Sequence, residues 1–240
     1  MMEELVYRPI GHIRSCYPEK FGAPRQPGLV KHAITEIVLS QAFSSEEAVS
    51  GLTAFSHIWV LFHFHKTAAA GWKPKVRPPR LGGNKSVGVF ASRSPFRPNP
   101  IGLSAVRLLS VQERDGLQIL SVEGGDFVDG APVLDIKPYI PYVDAIDAAE
   151  GGYAAEKPEP CLEVRFTEEA EQNLRQYSLQ YPNLRELIIE TIGLDPRPSY
   201  KKSQADTKVY GLALYDLNIS WRVHENYALI SAVAPLSVNE

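Results

Sequence analysis

The stretch His57-Ile58-Trp59-Val60-Leu61-Phe62-His63-Phe64-His65 alternates without a break. Ile58, Val60, Phe62 and Phe64 fall on one face and Trp59, Leu61, His63 and His65 on the other, the period of two expected of a half-buried β-strand. Working outward, the neighbouring segments read the same way. Thr35–Leu39 is a β-branched run, and Ser86–Ala91, Gly102–Val111 and Leu117–Val122 continue the series. Asp115-Gly116 is a hairpin-type turn between the last two. Leu5–Arg14 is shorter and mixed, with a bend at Gly11. Ser44–Val49 reads as a short helix capped by Ser44, with Glu47 as its capping-box partner. Many short strands separated by turns predict a mainly β fold built on a closed or nearly closed antiparallel barrel.

The composition changes after Tyr142. Asp144–Pro160 is small, acidic and punctuated by Pro and Gly, the composition of a linker or a long surface excursion. Beyond it, Cys161–Phe166 reads as a strand and Thr167–Tyr181 as a helix capped by Thr167. Leu184–Ile192 reads as a second helix ended by Gly193. Val209–Tyr215, Leu217–Val223 and Tyr227–Val233 alternate like strands, with Glu225-Asn226 as a tight turn. The expected organisation is a barrel domain over residues 1–145, a linker over 146–160 and a small α+β C-terminal domain over 161–240. So small a second unit should pack on the first.

Bulk properties narrow the function. A hydrophobic fraction of 44% with 22% charged residues is enough for a sizeable core. No run of about 18 apolar residues occurs, and the N-terminus has no signal-like apolar segment, so a cytoplasmic protein is expected. Two cysteines, Cys16 and Cys161, lie far apart and support neither a disulfide framework nor a structural zinc site. The net charge is −3, yet Asp and Glu are absent from Lys66 to Gln112. The same span carries Lys66, Lys73, Lys75, Arg77, Arg80, Lys85, Arg93, Arg97 and Arg107. Such segregation of sign, interleaved with aromatic, Pro and Gly residues, points to a polyanion partner.

Three segments concentrate chemistry. Phe21–Val30 is stiffened by Pro24, Pro27 and Gly28 and offers Arg25 and Gln26 as directional donors and acceptors. Arg77–Lys85 and Arg93–Gly102 combine rigid prolines, permissive glycines and planar guanidinium forks suited to phosphate or carboxylate. Asp126–Tyr142 gathers carboxylates, a lysine and tyrosines around the Asp129-Gly130 turn, and strict alternation places Val133, Asp135 and Lys137 on one strand face. His63 and His65 could be two metal ligands on one strand, but no further His, Asp or Glu follows until Glu113, so no metal is expected. A dinucleotide-binding glycine fingerprint, a phosphate loop and a nucleophile elbow are all missing.

On these segments the chain resembles the TsaA-like, or TrmO, family of tRNA adenine-N6 methyltransferases. The resemblance runs over nearly the full length, through Ile10–Ser15, Lys20–Val30, Phe55–His65, Val76–Gly83, Gly88–Ser104, Val128–Tyr142 and Asp195–Tyr200. It implies a β-barrel that binds S-adenosylmethionine, a homodimer with the cofactor site near the subunit interface, and threonylcarbamoyl-adenosine at position 37 of a threonine tRNA as substrate. Cofactor contacts are then expected at Pro24, Arg25, Gln26, His65, Lys66, Arg93, Leu103, Asp129, Gly130, Ala131, Pro132 and Val133. Lys66 departs from the glutamine expected in some relatives, and Cys16 stands where relatives can carry proline. For that chemistry Asp135 or Tyr139, tuned by Lys137, is expected to take the proton of the target nitrogen. Lys73, Lys75, Arg77, Arg80, Lys85, Arg97, Arg197, Tyr200 and Lys201, with Lys202, are expected to hold tRNA phosphates. A tRNA-binding module without catalysis, and a metal-dependent barrel using His63 and His65, are the alternatives.

Overall fold

A computed structural model describes residues 5–198, 201 and 206–236. In chain order its strands are β1 (Gly11–Arg14), β2 (Ile34–Leu39), β3 (His57–His63), β4 (Lys75–Val76), β5 (Val87–Gly88) and β6 (Ile101–Arg114). They continue as β7 (Leu117–Glu123), β8 (Pro132–Pro138), β9 (Glu163–Phe166), β10 (Asp206–Leu214), β11 (Leu217–His224) and β12 (Tyr227–Pro235). The helices are α1 (Glu46–Val49), α2 (His65–Ala68), α3 (Pro141–Asp144), α4 (Glu168–Tyr177) and α5 (Leu184–Gly193).

The expected barrel forms. Its strands run β1-β2-β7-β6-β3-β8 and close where Gly11 of β1 lies opposite Val133 of β8. Alternation decides the interior: Ile58, Val60 and Phe62 of β3 share one core with Ile13, Ile37, Val106, Leu120, Val122 and Val133. Burying a side chain of this size is worth about 1.5–3 kcal/mol. The Phe62 ring lies over Gly102, where a Cβ would come within 2.3 Å of it. It also meets Phe127 edge to face, centroids 4.9 Å apart, near the end at which β3 stops.

Some local readings shift, each for a visible reason. In Ser86–Ala91 only β5 pairs, and only with the two residues of β4; Val89–Ala91 then turns as a 3₁₀ helix that buries Val89 and exposes Phe90. α1 is capped by Ser45, whose hydroxyl accepts from Ala48 N at 3.2 Å, because the Ser44 hydroxyl accepts instead from Gln118 N. β3 ends at His63 and His65 begins α2, so the two histidines do not share a strand face. Strand β9 starts at Glu163, since the amides of Cys161 and Leu162 donate to the carbonyl of Gly193. Gly193 is the last residue of α5, which therefore runs one residue past the expected Ile192, with Leu194 as its cap.

The alternation in β8 breaks as well. Phe62 lies opposite Val133 and Leu61 opposite Asp135, leaving Leu134 as an extra, bulged residue. The bulge turns Val133 into the barrel and leaves Asp135 and Lys137 outside. The expected common face of Val133, Asp135 and Lys137 is thereby corrected.

The C-terminal part is the expected small α+β unit, a four-stranded sheet in the order β10-β11-β12-β9, with β9 parallel to β12 and covered by α4 and α5. Its core does not stop at the linker. Cys16, Tyr17, Val30 and Ala33 are buried together with Trp221, Leu212, Ile188 and Ile192. Tyr215 N donates to Cys16 O at 2.7 Å, and Glu190 accepts from His32 N at 2.9 Å. The linker is also seated: the Tyr153 hydroxyl donates to Ala91 O at 3.1 Å and the Arg80 guanidinium to Glu156 O.

Gly22 stands where the two parts meet, at φ +92°, and a Cβ there would come within 2.1 Å of Leu212 Cδ1. Gly22→Ala should lower the unfolding free energy by about 1–3 kcal/mol, read from urea titrations. An unchanged midpoint would mean that this loop is not seated on the C-terminal core.

Candidate functional site

A cleft of about 190 Å³ opens where β3 runs into α2. Phe62, Phe64, Pro24, Pro95, Val128 and Ala131 form its apolar walls, and His63, His65, Lys66, Lys20 and Asp126 bring the polar groups. Of the residues expected to hold the cofactor, Pro24, His65, Lys66 and Ala131 thus line one cavity. The loops that carry them are cross-braced. The Arg93 guanidinium donates to Gln26 Oε1, and Gln26 Nε2 donates to Arg25 O. Asp129 Oδ1 accepts from Ser15 N at 2.8 Å, while the Asp129 amide donates to Tyr17 O. Gly130 takes φ +76°, a conformation that favours glycine, and faces the His65 ring at ordinary contact distance, since an added Cβ would lie 3.9 Å from Nε2. Burial pushes the His65 pKa down, and the neighbouring Lys66 and His63 push the same way.

Other expected contacts lie elsewhere. The Val133 side chain is buried in the barrel and its carbonyl accepts from Ile10 N. Leu103 stands on the outer surface, 52% exposed. It is not isolated there, because Leu61 lies opposite Leu103 on one side and Asp135 on the other. The next row is Ala105, Trp59 and Lys137. Lys137 Nζ lies 3.0 Å from Asp135 Oδ2, the Ile136 amide donates to Asp135 Oδ1 at 2.9 Å, and the Tyr139 ring packs 5.6 Å from Trp59. Asp135, Lys137 and Tyr139 therefore share the outer face with Leu103. His63 links this face to the cleft, since it lines the cavity and lies opposite Ile101 of β6.

The cations expected at an RNA surface divide into two groups. Lys75, Arg77 and Lys85 are exposed along the loops. Lys73 is exposed with its ammonium 4.6 Å from the centre of the Phe96 ring. Arg97 is instead a brace, donating to Ser92 O at 2.7 Å and Val89 O at 3.3 Å, and Arg80 holds the linker. Arg197 is a correction. It is 1% exposed and paired with Asp195 through Nε at 2.8 Å and Nη2 at 2.9 Å, so it does not present its charge to a phosphate. Lys201 is partly buried, its Nζ 3.4 Å from the Tyr210 hydroxyl. Tyr200 and Lys202 lie outside the described residues.

Asp126 opens one of the three segments but is not among the residues expected to hold the cofactor or take a proton. It lines the cleft, and its Oδ1 accepts from the Ser104 hydroxyl at 2.6 Å. Ser104 is a polar residue at an inward position of β6, and that break in the apolar face was the available signal. Burial raises the Asp126 carboxyl from 3.8 to about 6, against the opposing pull of the Ser104 hydrogen bond and the Arg93 charge. A raised folded-state pKa means the folded chain binds this proton more tightly than the unfolded chain. The resulting stability is complete below pH 3.8 and is lost as pH rises through about 6. Asp126→Asn should therefore gain on the parent chain across that window, by no more than about 3 kcal/mol at pH 7. Unfolding titrations at several pH values would show it, and a difference that stays flat with pH would mean the carboxyl is fully hydrated.

Comparison with known proteins gives this geometry a family. A family model described as the tRNA-methyltransferase O N-terminal domain matches residues 12–145, and one described as the TrmO C-terminal domain matches residues 159–236. A relative from Escherichia coli (strain K12), named tRNA (adenine(37)-N6)-methyltransferase, is 47% identical over 234 residues, covering 98% of this chain and 100% of its own. A probable S-adenosyl-L-methionine-binding protein of Pyrococcus abyssi is 37% identical over 177 residues, covering 74% of this chain and 88% of its own. A crystal structure of TrmO from Pseudomonas aeruginosa superposes with a TM-score of 0.81 at 38% identity, covering 98% of this chain and 99% of that one. With both domains matched in order along one barrel-and-sheet architecture, the chain belongs to the TrmO family of tRNA methyltransferases.

Proposed function

We propose that this chain uses S-adenosylmethionine to methylate the N6 nitrogen of adenosine 37 in tRNA, and that its full substrate is the threonylcarbamoyl-adenosine of a threonine tRNA. The observation that carries the reading is the junction at His63. There a cleft lined by Pro24, His65, Lys66 and Ala131 meets an outer face bearing Leu103, Asp135, Lys137 and Tyr139, next to loops free of carboxylates from Lys66 to Gln112. Membership of the family along both domains supports the activity, and the names of relatives support the donor.

The residues present suit such a donor. About 190 Å³ is less than the ~300–1,000 Å³ of pockets that enclose a drug-sized ligand, so the cleft takes one part of it. The remainder is assigned to the outer face, where Leu103 stands. Phe62, Phe64 and the Asp126 carboxylate offer a cation the aromatic and anionic neighbours it favours. When bound, the donor supplies a methyl group on a positively charged sulfur, and the bonding pair stays on sulfur when that methyl moves to nitrogen. Asp135 is assigned to accept the proton that the nitrogen sheds. Lys137 and the Ile136 amide hold its two oxygens in place, which fixes the direction from which that proton is taken. A second copy of this chain is assigned to the outer face, where Ile101, Leu103 and Leu109 of β6 are exposed apolar side chains.

The direct test is incubation with labelled donor and tRNA that either carries or lacks threonylcarbamoyl on adenosine 37. Label should enter N6 of that nucleoside, and far faster in the modified tRNA; tRNA recovered without label would end the reading. Asp135→Asn should bind the donor as the parent does, yet transfer methyl about 10²–10⁴ times more slowly in single turnovers. Unchanged transfer would remove Asp135 from the proton path. Arg77→Gln should weaken tRNA binding and reduce the slope of log affinity against log salt by about 0.7–0.9, the share of one phosphate contact.

A further inference from the structure

Phe90 is 76% exposed, in the middle of the cationic loops. A ring so placed on a mobile loop would mean little, but its mount is rigid. Val89 is buried and its amide donates to Pro74 O at 3.0 Å. The Ser92 hydroxyl donates to Val89 O at 2.8 Å, and the Tyr153 hydroxyl donates to Ala91 O on the far side of the turn. Arg97 closes the turn by donating to both Val89 O and Ser92 O, which brings its guanidinium carbon 5.9 Å from the centre of the Phe90 ring. The turn buries one neighbour, ties down the other side and leaves the phenyl ring outside. Nearby, Lys75 lies opposite Gly88, and Lys73 N donates to Phe96 O, so the lysines of one loop are strapped to the loop that carries the ring. Trp72, 55% exposed, immediately precedes Lys73.

We propose that Phe90 is a stacking platform for an unpaired base of the anticodon loop, flanked by the cations that hold that loop's phosphates. The assignment rests on the tRNA reading above and adds to it the group that receives a base. The chemistry favours this occupant over another protein. Aromatic faces set among cations, with no carboxylate in the same stretch of chain, suit a strand that alternates flat bases with phosphates. A preformed platform also adds little ordering cost when the base lands. Trp72 lies on the same strapped loops and is assigned a neighbouring base.

The experiment measures binding of an anticodon stem–loop carrying a fluorescent 2-aminopurine in the loop, with the parent chain and with Phe90→Ala, Phe90→Leu and Phe90→Tyr. Phe90→Ala and Phe90→Leu should weaken binding about 5- to 100-fold and lose the fluorescence change that stacking causes. Phe90→Tyr should keep both. The salt slope should stay at the parent value in all of them, in contrast to Arg77→Gln. Equal behaviour of the Leu and Tyr variants would overturn the assignment, because the face of the ring would then not matter. So would unchanged affinity in the Ala variant, or a loss of affinity that merely follows a change in oligomeric state measured by sedimentation. If the parent chain bound no stem–loop at all, the tRNA reading itself would fall and this assignment with it.

Discussion

The segment between β1 and β2 is held at both ends by the barrel and, between those ends, by a different core. Cys16, Tyr17, Val30 and Ala33 are buried among the side chains of the C-terminal sheet and its helices, while the strands that flank them belong to the barrel wall. This double attachment positions Pro24, Arg25 and Gln26 at the end of the barrel. Apolar burial on one side and strand pairing on the other leave the loop little freedom, so the cleft it walls exists before any ligand arrives. The same contacts explain why the C-terminal unit is more than an appendage. Its core is completed by residues from the first part of the chain, as the small size of the unit requires.

A second constraint is electrostatic. The chain withholds carboxylates from 66–112, and the cations there are not equivalent. Arg97 and Arg80 bind backbone carbonyls, and Arg197 in the C-terminal part is buried against Asp195. A guanidinium with five donors in a plane suits such bracing, and a carbonyl-rich turn supplies the acceptors. The charges left to face solvent, among them Lys75 and Arg77, are thus presented by loops that other arginines have stiffened.

The candidate site is divided between two surfaces that meet at one residue. Inside lies the cleft with Asp126 and the rings of Phe62 and Phe64; outside lies the row Leu103, Leu61, Asp135. His63, the last residue of β3, borders both. The bulge at Leu134 makes the division possible. Without it, Asp135 would follow Val133 into the barrel, where an ionised carboxylate would be costly.

Alternation along His57–His63 was enough to declare a strand with one face in an apolar core, and repeated alternation with turn residues was enough for a barrel, because a period of two has only one common structural meaning. Pairs of helix and strand in the last third were legible for the same reason. The three segments rich in Pro, Arg and Asp stood out as candidate sites from residue type alone. Other features depended on neighbours distant in sequence. Ser44 lost its capping role to Gln118 N, Arg197 found Asp195 in the interior, and Ser86–Ala91 had only the two residues of β4 to pair with. Asp126 became notable only when Ser104, across the barrel end, reached its carboxylate. Local pattern determines which residues prefer a strand, a turn or the interior. Which polar groups meet, and at what dielectric, depends on contacts between segments many residues apart, so the tertiary structure alone decided it.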